Sequence, residues 1–509
     1  MASMTADRKV NVEKHLNFAR KVLQSVFLTL LITAFISCDT KDSRSRSMQN
    51  VDPLLFQSAT ELIGMIRRGE ISSLDLLNRY LESIERNNYL INAIVAIDVD
   101  AARRKAVEAD NALTRGESWG PLHGLPMTVK DAFEVVGMPA ACGDPKLKDN
   151  VPERNAKAVE SLIDAGAIIF GKTNVPYHCL DFQSFNEVYG TTNNPWDVTR
   201  TPGGSSGGSA AALSAGFTPL ELGSDLGGSI RIPAHYTGVY GHVPTFGIIP
   251  RDGHISPFPV EIPPKLLPEI TVGVVGALAR SAEDLELTLN VLTASGRSEG
   301  DTVPELPPPR RKQFKDYRVA AWFTDPSPDA ELDADVLAIL QKTLETLRRA
   351  GLDVEEEARP KLQLYEAIHL RRDIRNELMA GAVPLHEGLL AKQKEQQSKW
   401  ASFFERYDVL LAPVAPTTAF PHDHREPLLS RRLAINGKKR PYLNNLAWVS
   451  MAIAAGLPAT VAPVGLSESG LPVGIQMIGD RFEDRTIIAF AQGLSDLVGG
   501  FKAPPSLMK

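Results

Sequence analysis

The stretch TPGGSSGGS, Thr201–Ser209, decides how this 509-residue chain is read. Alone it looks like a flexible Gly/Ser linker. Its setting argues otherwise. It lies mid-chain, with Pro202 near its start and the small-residue run Ala210–Ala215, a predicted helix, directly after it. Glycines in such a place let the backbone pass close to a reacting group and take uncommon φ values. Downstream, DLGGSIRIP (Asp225–Pro233) sets Gly227 and Gly228 before Ser229. That predicts a tight turn with several N–H groups aimed at one point, the raw material of an oxyanion hole. Upstream, GLPMTVKDAFE (Gly124–Glu134) places Lys130 after an apolar, β-rich run. Read alone, Lys130 is a surface lysine at a strand end.

A serine hydroxyl is a nucleophile only when something takes its proton. The chain has no HExxH zinc motif. Its histidines offer no evident base, and His422 and His424, in a Pro-rich loop, read as a surface feature. A lysine acting through a second serine remains. A further pattern, GAIIFGKT (Gly166–Thr173), fits the phosphate-binding GxxxxGK[ST] form. Its inner residues Ala-Ile-Ile-Phe read as a strand, not a loop that curls round phosphate.

The three segments, in this order, resemble the amidase signature family. Lys130 precedes Ser205 by 75 residues and Ser205 precedes Ser229 by 24, a spacing similar to that family's. The stretches GKTNVP (171–176), YGTTNNPWD (189–197), YDVLLAPVAPTTA (407–419) and GLPVGIQMIGDRFED (470–484) match as well. The resemblance covers essentially everything after residue 50. It implies an α/β fold, a central mixed β-sheet with helices on both faces. It implies a Ser-cisSer-Lys triad in which Ser229 attacks, Ser205 relays the proton after a cis bond, and Lys130 is the base. The N–H groups of Leu226, Gly227, Gly228 and Ser229 would form the oxyanion hole, with Ser206, Asp225 and Arg231 as buttresses. The implied reaction is hydrolysis of a small-molecule carboxamide, and of some esters or carbamates, through an acyl-enzyme. It releases a carboxylic acid and ammonia or an amine, and calls for no cofactor and no metal.

That reading sets a physical condition. A lysine side chain in water has a pKa of about 10.4, and an amine is a base only while uncharged. Position 130 must then be buried, with no carboxylate in contact. Asp131 must point away, as alternation along a strand allows.

Two other functions fit the same motifs. One is that of the A-type amidotransferase component of tRNA-dependent amidation; the other is that of an envelope binding protein with a degenerate site. Departures from the family pattern are Tyr177-His178-Cys179 after Asn174-Val175-Pro176, His242-Val243 where Leu-Lys is common, and a compact Lys361–Arg406 region. These predict changes at the pocket rim, and with them an open substrate identity.

Composition narrows the class. The chain is 43% hydrophobic and 23% charged, ordinary for a globular protein. A net charge of −6 lacks the basic footprint of a nucleic-acid binder. Three cysteines, Cys38, Cys142 and Cys179, with no CxxC pair, argue against a disulfide scaffold or a structural zinc site. Oligomeric state is left open, a homo-oligomer included.

The N-terminus predicts export. Val22–Ser37 is an uncharged run after Arg20 and Lys21, too short for a spanning helix of about 20 apolar residues. Its ending, Phe35-Ile36-Ser37-Cys38, resembles a lipoprotein box, which implies cleavage before Cys38 and lipid attachment to its thiol. On this reading residues 1–38 are the signal, 39–52 a tether and 53–505 a single catalytic domain anchored to a membrane of the cell envelope.

In the body, Ser58 and Glu61 form a capping box for a helix ended by Gly69. Ser72 or Ser73 opens a second helix with Leu74, Leu77, Leu81 and Ile84 on one face. Strands are expected at Ala93–Ile97, Pro126–Lys130, Ala167–Phe170, Arg318–Phe323 and Asp353–Glu356. Helices are expected at Ala156–Ala165 and Asp333–Ala350, with Lys361–Lys399 charged and helical. Val303–Pro309 reads as a surface linker between lobes.

Overall fold

The computed structural model describes residues 50–255, 273–294 and 305–507. The expected signal, Cys38 and most of the tether lie outside them. The helix starts follow the capping chemistry. Ser58 accepts from Glu61 N and opens α1 (Ala59–Arg67); Ser72 accepts from Asp75 N and opens α2 (Ser73–Ile91). A helix the periodicity does not reveal, α3 (Val99–Thr114), follows β1 (Ile94–Ile97). Its buried face is Ala102, Ala106, Ala109 and Ala112, too weakly apolar to stand out.

One eleven-stranded sheet organises the body. Its other strands are β2 (Pro126–Lys130), β3 (Ile168–Thr173), β4 (Leu220–Asp225), β5 (Tyr240–Val243), β6 (Val274–Ala279), β7 (Val319–Ala321), β8 (Val354–Glu355), β9 (Val409–Pro413), β10 (Ala459–Leu466) and β11 (Pro472–Ile478). The order across the sheet is β1-β3-β2-β4-β6-β5-β10-β11-β9-β7-β8. Parallel pairs β3/β2/β4 and β9/β7/β8 sit within antiparallel neighbours, so the sheet is mixed. Every residue of β2, β6, β9 and β11 is buried. Since successive side chains point to opposite faces, both faces of the sheet are covered.

The Gly166–Thr173 pattern is strand, as its apolar residues predict. β3 runs on through Gly171, Lys172 and Thr173 because β1 and β2 pair with it on both sides. α4 (Lys157–Asp164) leads into it. α7 (Ala282–Ala294) follows β6, and the amphipathic α8 (Ala334–Arg349) appears nearly as expected. The Lys361–Lys399 region is two helices, α9 (Leu364–Met379) and α10 (Glu387–Phe404). Gly381, at φ +80°, ends the first of them.

Two expected boundaries move. Val51 is buried and its N–H donates to Leu507 O at 3.0 Å, so the body already includes Val51 and extends past residue 505. The described part of the Pro-rich stretch is no free linker. Leu306 is buried and its carbonyl accepts from Arg485, while Arg310 donates to Phe404 O and pairs with Asp480. The described residues form one compact unit.

Candidate active site

The site grows from the sheet's parallel strands. β2 and β4 pair in parallel, with Thr128 opposite Glu221 and Val129 opposite Leu222. Their carboxyl ends, Lys130 on one and Ser224–Asp225 on the other, therefore emerge side by side. The Thr201–Ser209 loop crosses that edge and enters α5 (Gly207–Ser214), which is buried along its whole length. Its glycines are close-packed, not slack. A Cβ at Gly204 would lie 2.5 Å from Asp181 O, and one at Gly208 would lie 2.3 Å from Asn174 N. The Gly204–Ser205 peptide bond is cis, as the resemblance implies.

Lys130 is 0% exposed, and its Nζ lies 2.6 Å from Ser205 Oγ. Its other partners are Ser224 Oγ at 2.9 Å and Ser224 O at 3.3 Å. None is a carboxylate. Asp131 points to the opposite face, 3.5 Å from Lys172 Nζ. The condition on Lys130, burial without a carboxylate in contact, is met. Burial, opposed by the Lys172 charge, pushes Asp131 up to about 6.

Ser229, at the start of the turn into α6 (Arg231–Thr237), is tied to Ser206, the neighbour of Ser205. Ser206 N donates to Ser229 O at 3.0 Å, and Ser206 Oγ donates to Ser224 O at 3.3 Å. Asp225 organises the turn. Its carboxylate accepts from Gly228 N (2.6 Å), Ile230 N (3.1 Å) and Arg231 Nε (3.1 Å) and Nη2 (3.1 Å). Burial opposes its charge, yet Arg231 and these donors hold it below the usual carboxylate range. Arg231 is anchored in turn on Val449 O and Gln476. Ser206, Asp225 and Arg231, the expected buttresses, are thus hydrogen-bonded around the turn.

One expected donor changes role. The Gly228 N–H is committed to the Asp225 carboxylate, a short charge-assisted bond, and so does not face an oxyanion. The N–H groups of Leu226, Gly227 and Ser229 are the other donors expected there.

Several participants escape the sequence. Ser224 bridges Lys130 to His254, whose Nε2 lies 2.8 Å from the Ser224 hydroxyl and whose ring meets Phe133 edge-on at 4.9 Å. Burial first, with the Arg251 charge beside it, pushes His254 well below its ordinary value. Cys179, Ser205, Ser224, Leu226 and His254 line one cavity. Cys179 Sγ lies 3.6 Å from Cys142 Sγ, and both thiols are free. No local pattern marks these groups. Ser224 sits just before the Asp225–Pro233 segment, and His254 lies 124 residues beyond Lys130.

The departures divide. Cys179 belongs to the pocket wall, as expected of a rim change. His242 does not: it is buried in β5 on Thr460 and Asp484, where it supports sheet packing. His422 and His424 lie 5.5 Å apart beside a surface groove, with His424 stacked on Phe185 at 3.8 Å. Lys172 of the phosphate-loop-like pattern is spent on Phe133 O, Pro139 O and Asp131.

The Amidase family model matches residues 75–374 and 369–488 of this sequence. The chain belongs to the amidase family. It is an enzyme that hydrolyses amide bonds. It is similar to the A component of the glutamyl-tRNA(Gln) amidotransferase of Exiguobacterium sp., 30% identical over 503 residues, with 89% of this chain and 99% of the relative covered. It is also similar to the fatty-acid amide hydrolase 2-A of Danio rerio, at 29% identity, with 96% and 97% covered. Among solved structures, 6-aminohexanoate cyclic dimer hydrolase superposes with a TM-score of 0.71 at 26% identity, covering 90% of this chain and 100% of the other. The amidase fold therefore extends over the described body.

Proposed function

We propose that this amidase hydrolyses linear, non-peptide carboxamides of small molecules with Ser229 as nucleophile, Ser205 as relay and Lys130 as base. The observation that carries this reading is the buried amine 2.6 Å from the Ser205 hydroxyl, with no carboxylate beside it. Lys130 Nζ accepts the Ser205 proton as Ser205 Oγ takes the proton of Ser229 Oγ, and Ser229 bonds to the acyl carbon. Negative charge then grows on the carbonyl oxygen, where Leu226, Gly227 and Ser229 N–H groups stabilise it. Collapse breaks the C–N bond, and the leaving nitrogen takes the relayed proton. Water returns along the same relay, cleaves the ester and frees the acid.

Fluorophosphonate labelling tests the assignment. Wild type should label and Ser229→Ala should not; equal labelling of both removes Ser229 as nucleophile. A panel of aliphatic, aryl and long-chain amides, with esters and carbamates, then ranks substrates. The likeness to the glutamyl-tRNA(Gln) amidotransferases brings one more arm. Glutamine-dependent amidation of misacylated tRNA with a copurifying partner would replace the stand-alone hydrolase reading. Export and lipid attachment at Cys38 rest on the N-terminal pattern alone, and mass spectrometry of the mature N-terminus tests them.

A further inference from the structure

Helix α9 lies against the turn that carries Ser229. Its buried apolar face includes Ala367, Leu370, Ile374 and Leu378, and Leu226 packs on it. Arg371 and Arg375 flank that face, one turn apart. A Cβ placed on Gly227 would lie 2.1 Å from Arg371 Nη2 and 2.9 Å from its Cζ. The guanidinium thus rests on the α-carbon of Gly227, two residues before Ser229.

Among the described residues this cation has nothing to hold. Arg371 Nε is buried without a partner. Among the described residues, neither Arg371 nor Arg375 makes a hydrogen bond or ion pair. The other deeply set arginines are saturated. Arg231 takes Asp225, Val449 O and Gln476; Arg280 takes the carbonyls of Gln57, Leu213 and Thr218; Arg431 takes Asp181 and Glu426. Asp225, the acid nearest in influence, is already engaged by Arg231. Two unpaired like charges one turn apart weaken a helix, and an uncompensated enclosed charge is costly. Burial first, then the Arg375 charge, push Arg371 down to about 10. Packing alone would be served better by an aliphatic side chain.

We infer that Arg371, backed by Arg375, binds an anionic group of the substrate, so that the preferred amides carry a carboxylate close to the scissile bond. The inference rests on Ser229 being the nucleophile. A guanidinium presents a planar fork that matches a carboxylate with two parallel hydrogen bonds. Two residues of chain span at most roughly 7 Å. The carboxylate therefore sits only a few bonds from the acyl carbon or the leaving nitrogen. Half-amides of short dicarboxylic acids, and acyl amides of carboxylated amines, meet that limit; long neutral acyl amides do not use the arginines.

Matched substrate pairs test this. Glutaryl-p-nitroanilide is compared with valeryl-p-nitroanilide, and 4-acetamidobenzoate with acetanilide, in wild type, Arg371→Gln, Arg371→Lys and Arg375→Gln. In at least one pair the wild-type kcat/KM should favour the anionic member. Arg371→Gln should cut that ratio about 10- to 100-fold, the scale of hydrogen bonds to a charged group. The loss should fall mainly on KM, and Arg371→Lys should restore part of it. Should Arg371→Gln fail to fold, the partly exposed Arg375→Gln and the fall of the wild-type ratio with added salt give the same readout. Ser229-dependent hydrolysis with no preference in either pair overturns the inference and leaves the amidase reading standing. So does a uniform loss on both members, which marks Arg371 as a brace for the turn. Hydrolysis that survives Ser229→Ala overturns the underlying assignment instead.

Discussion

Lys130 and Lys172 stand on neighbouring strands, nearly in register, and both are fully buried. They have opposite surroundings. Lys172 faces Asp131 and two backbone carbonyls, so its charge is matched. Lys130 faces only the oxygens of Ser205 and Ser224. Asp131, adjacent to Lys130 in sequence, serves the other lysine because alternation sends it through the sheet. One residue type thus yields a structural ion pair on one face and, on the other, a buried amine that meets only hydroxyl and carbonyl oxygens. In the proposed mechanism, burial alone does not make Lys130 a base; the absence of a carboxylate beside it does.

The sharpest way to break this contrast is to remove each amine. Lys130→Met should lower kcat/KM for an aryl amide by about 10²- to 10⁴-fold, the usual span for a general base, with the melting temperature little changed. Lys172→Met should instead strand the buried Asp131 carboxylate and cost about 3–5 kcal/mol of stability in urea denaturation. Lys172→Met with Asp131→Asn should recover part of that loss. Were Lys172→Met to abolish turnover in a fully stable protein, the two roles would have to be exchanged.

Glu221 sharpens the comparison from beneath the site. It is buried between Thr128 and Thr173, and burial pushes it up to about 8 from 4.5. Its folded pKa is raised, so the stability linked to its neutral form is complete below about pH 4.5 and lost as pH rises through about 8. Glu221→Gln should flatten the stability profile across that window, by no more than about 5 kcal/mol. Chemical denaturation at a series of pH values reads this directly. The smallest effect is expected at Ser224→Ala, which leaves Lys130 with one hydroxyl partner. A loss of about tenfold in kcat/KM, with an altered pH–rate profile, would mark Ser224 as a positioning residue. A change in stability alone would mark it as packing.

Capping and periodicity make much of the fold legible. Ser58, Ser72 and the Pro126–Lys130 strand appear where local chemistry puts them. Helix α3 is hidden because alanines, not large apolar residues, form its buried face. The break between α9 and α10 is legible locally, since residues 380–386 carry no charge and hold Gly381 and Pro384, but reading the whole region as one charged helical stretch passes over it. The site divides in the same way. Lys130, Ser205 and Ser229 are readable from three short segments, whereas Ser224, His254 and Arg371 are not, and Cys179 shows only as a departure at the rim. No short-range pattern distinguishes a serine, histidine or arginine that meets the site only through folding.

The amino-acid order by itself determined which residue types carry the chemistry: a lysine at a strand end, serines set among glycines, and turns that only small residues permit. It determined these because strand alternation, capping and glycine freedom act over a few residues. The tertiary structure alone decided that Gly228 serves Asp225 and not an oxyanion, that Asp131 belongs to Lys172, and that Arg371 reaches Gly227. Those outcomes depend on which donors and acceptors meet across the sheet, between segments tens to hundreds of residues apart, and no local rule ranks such meetings.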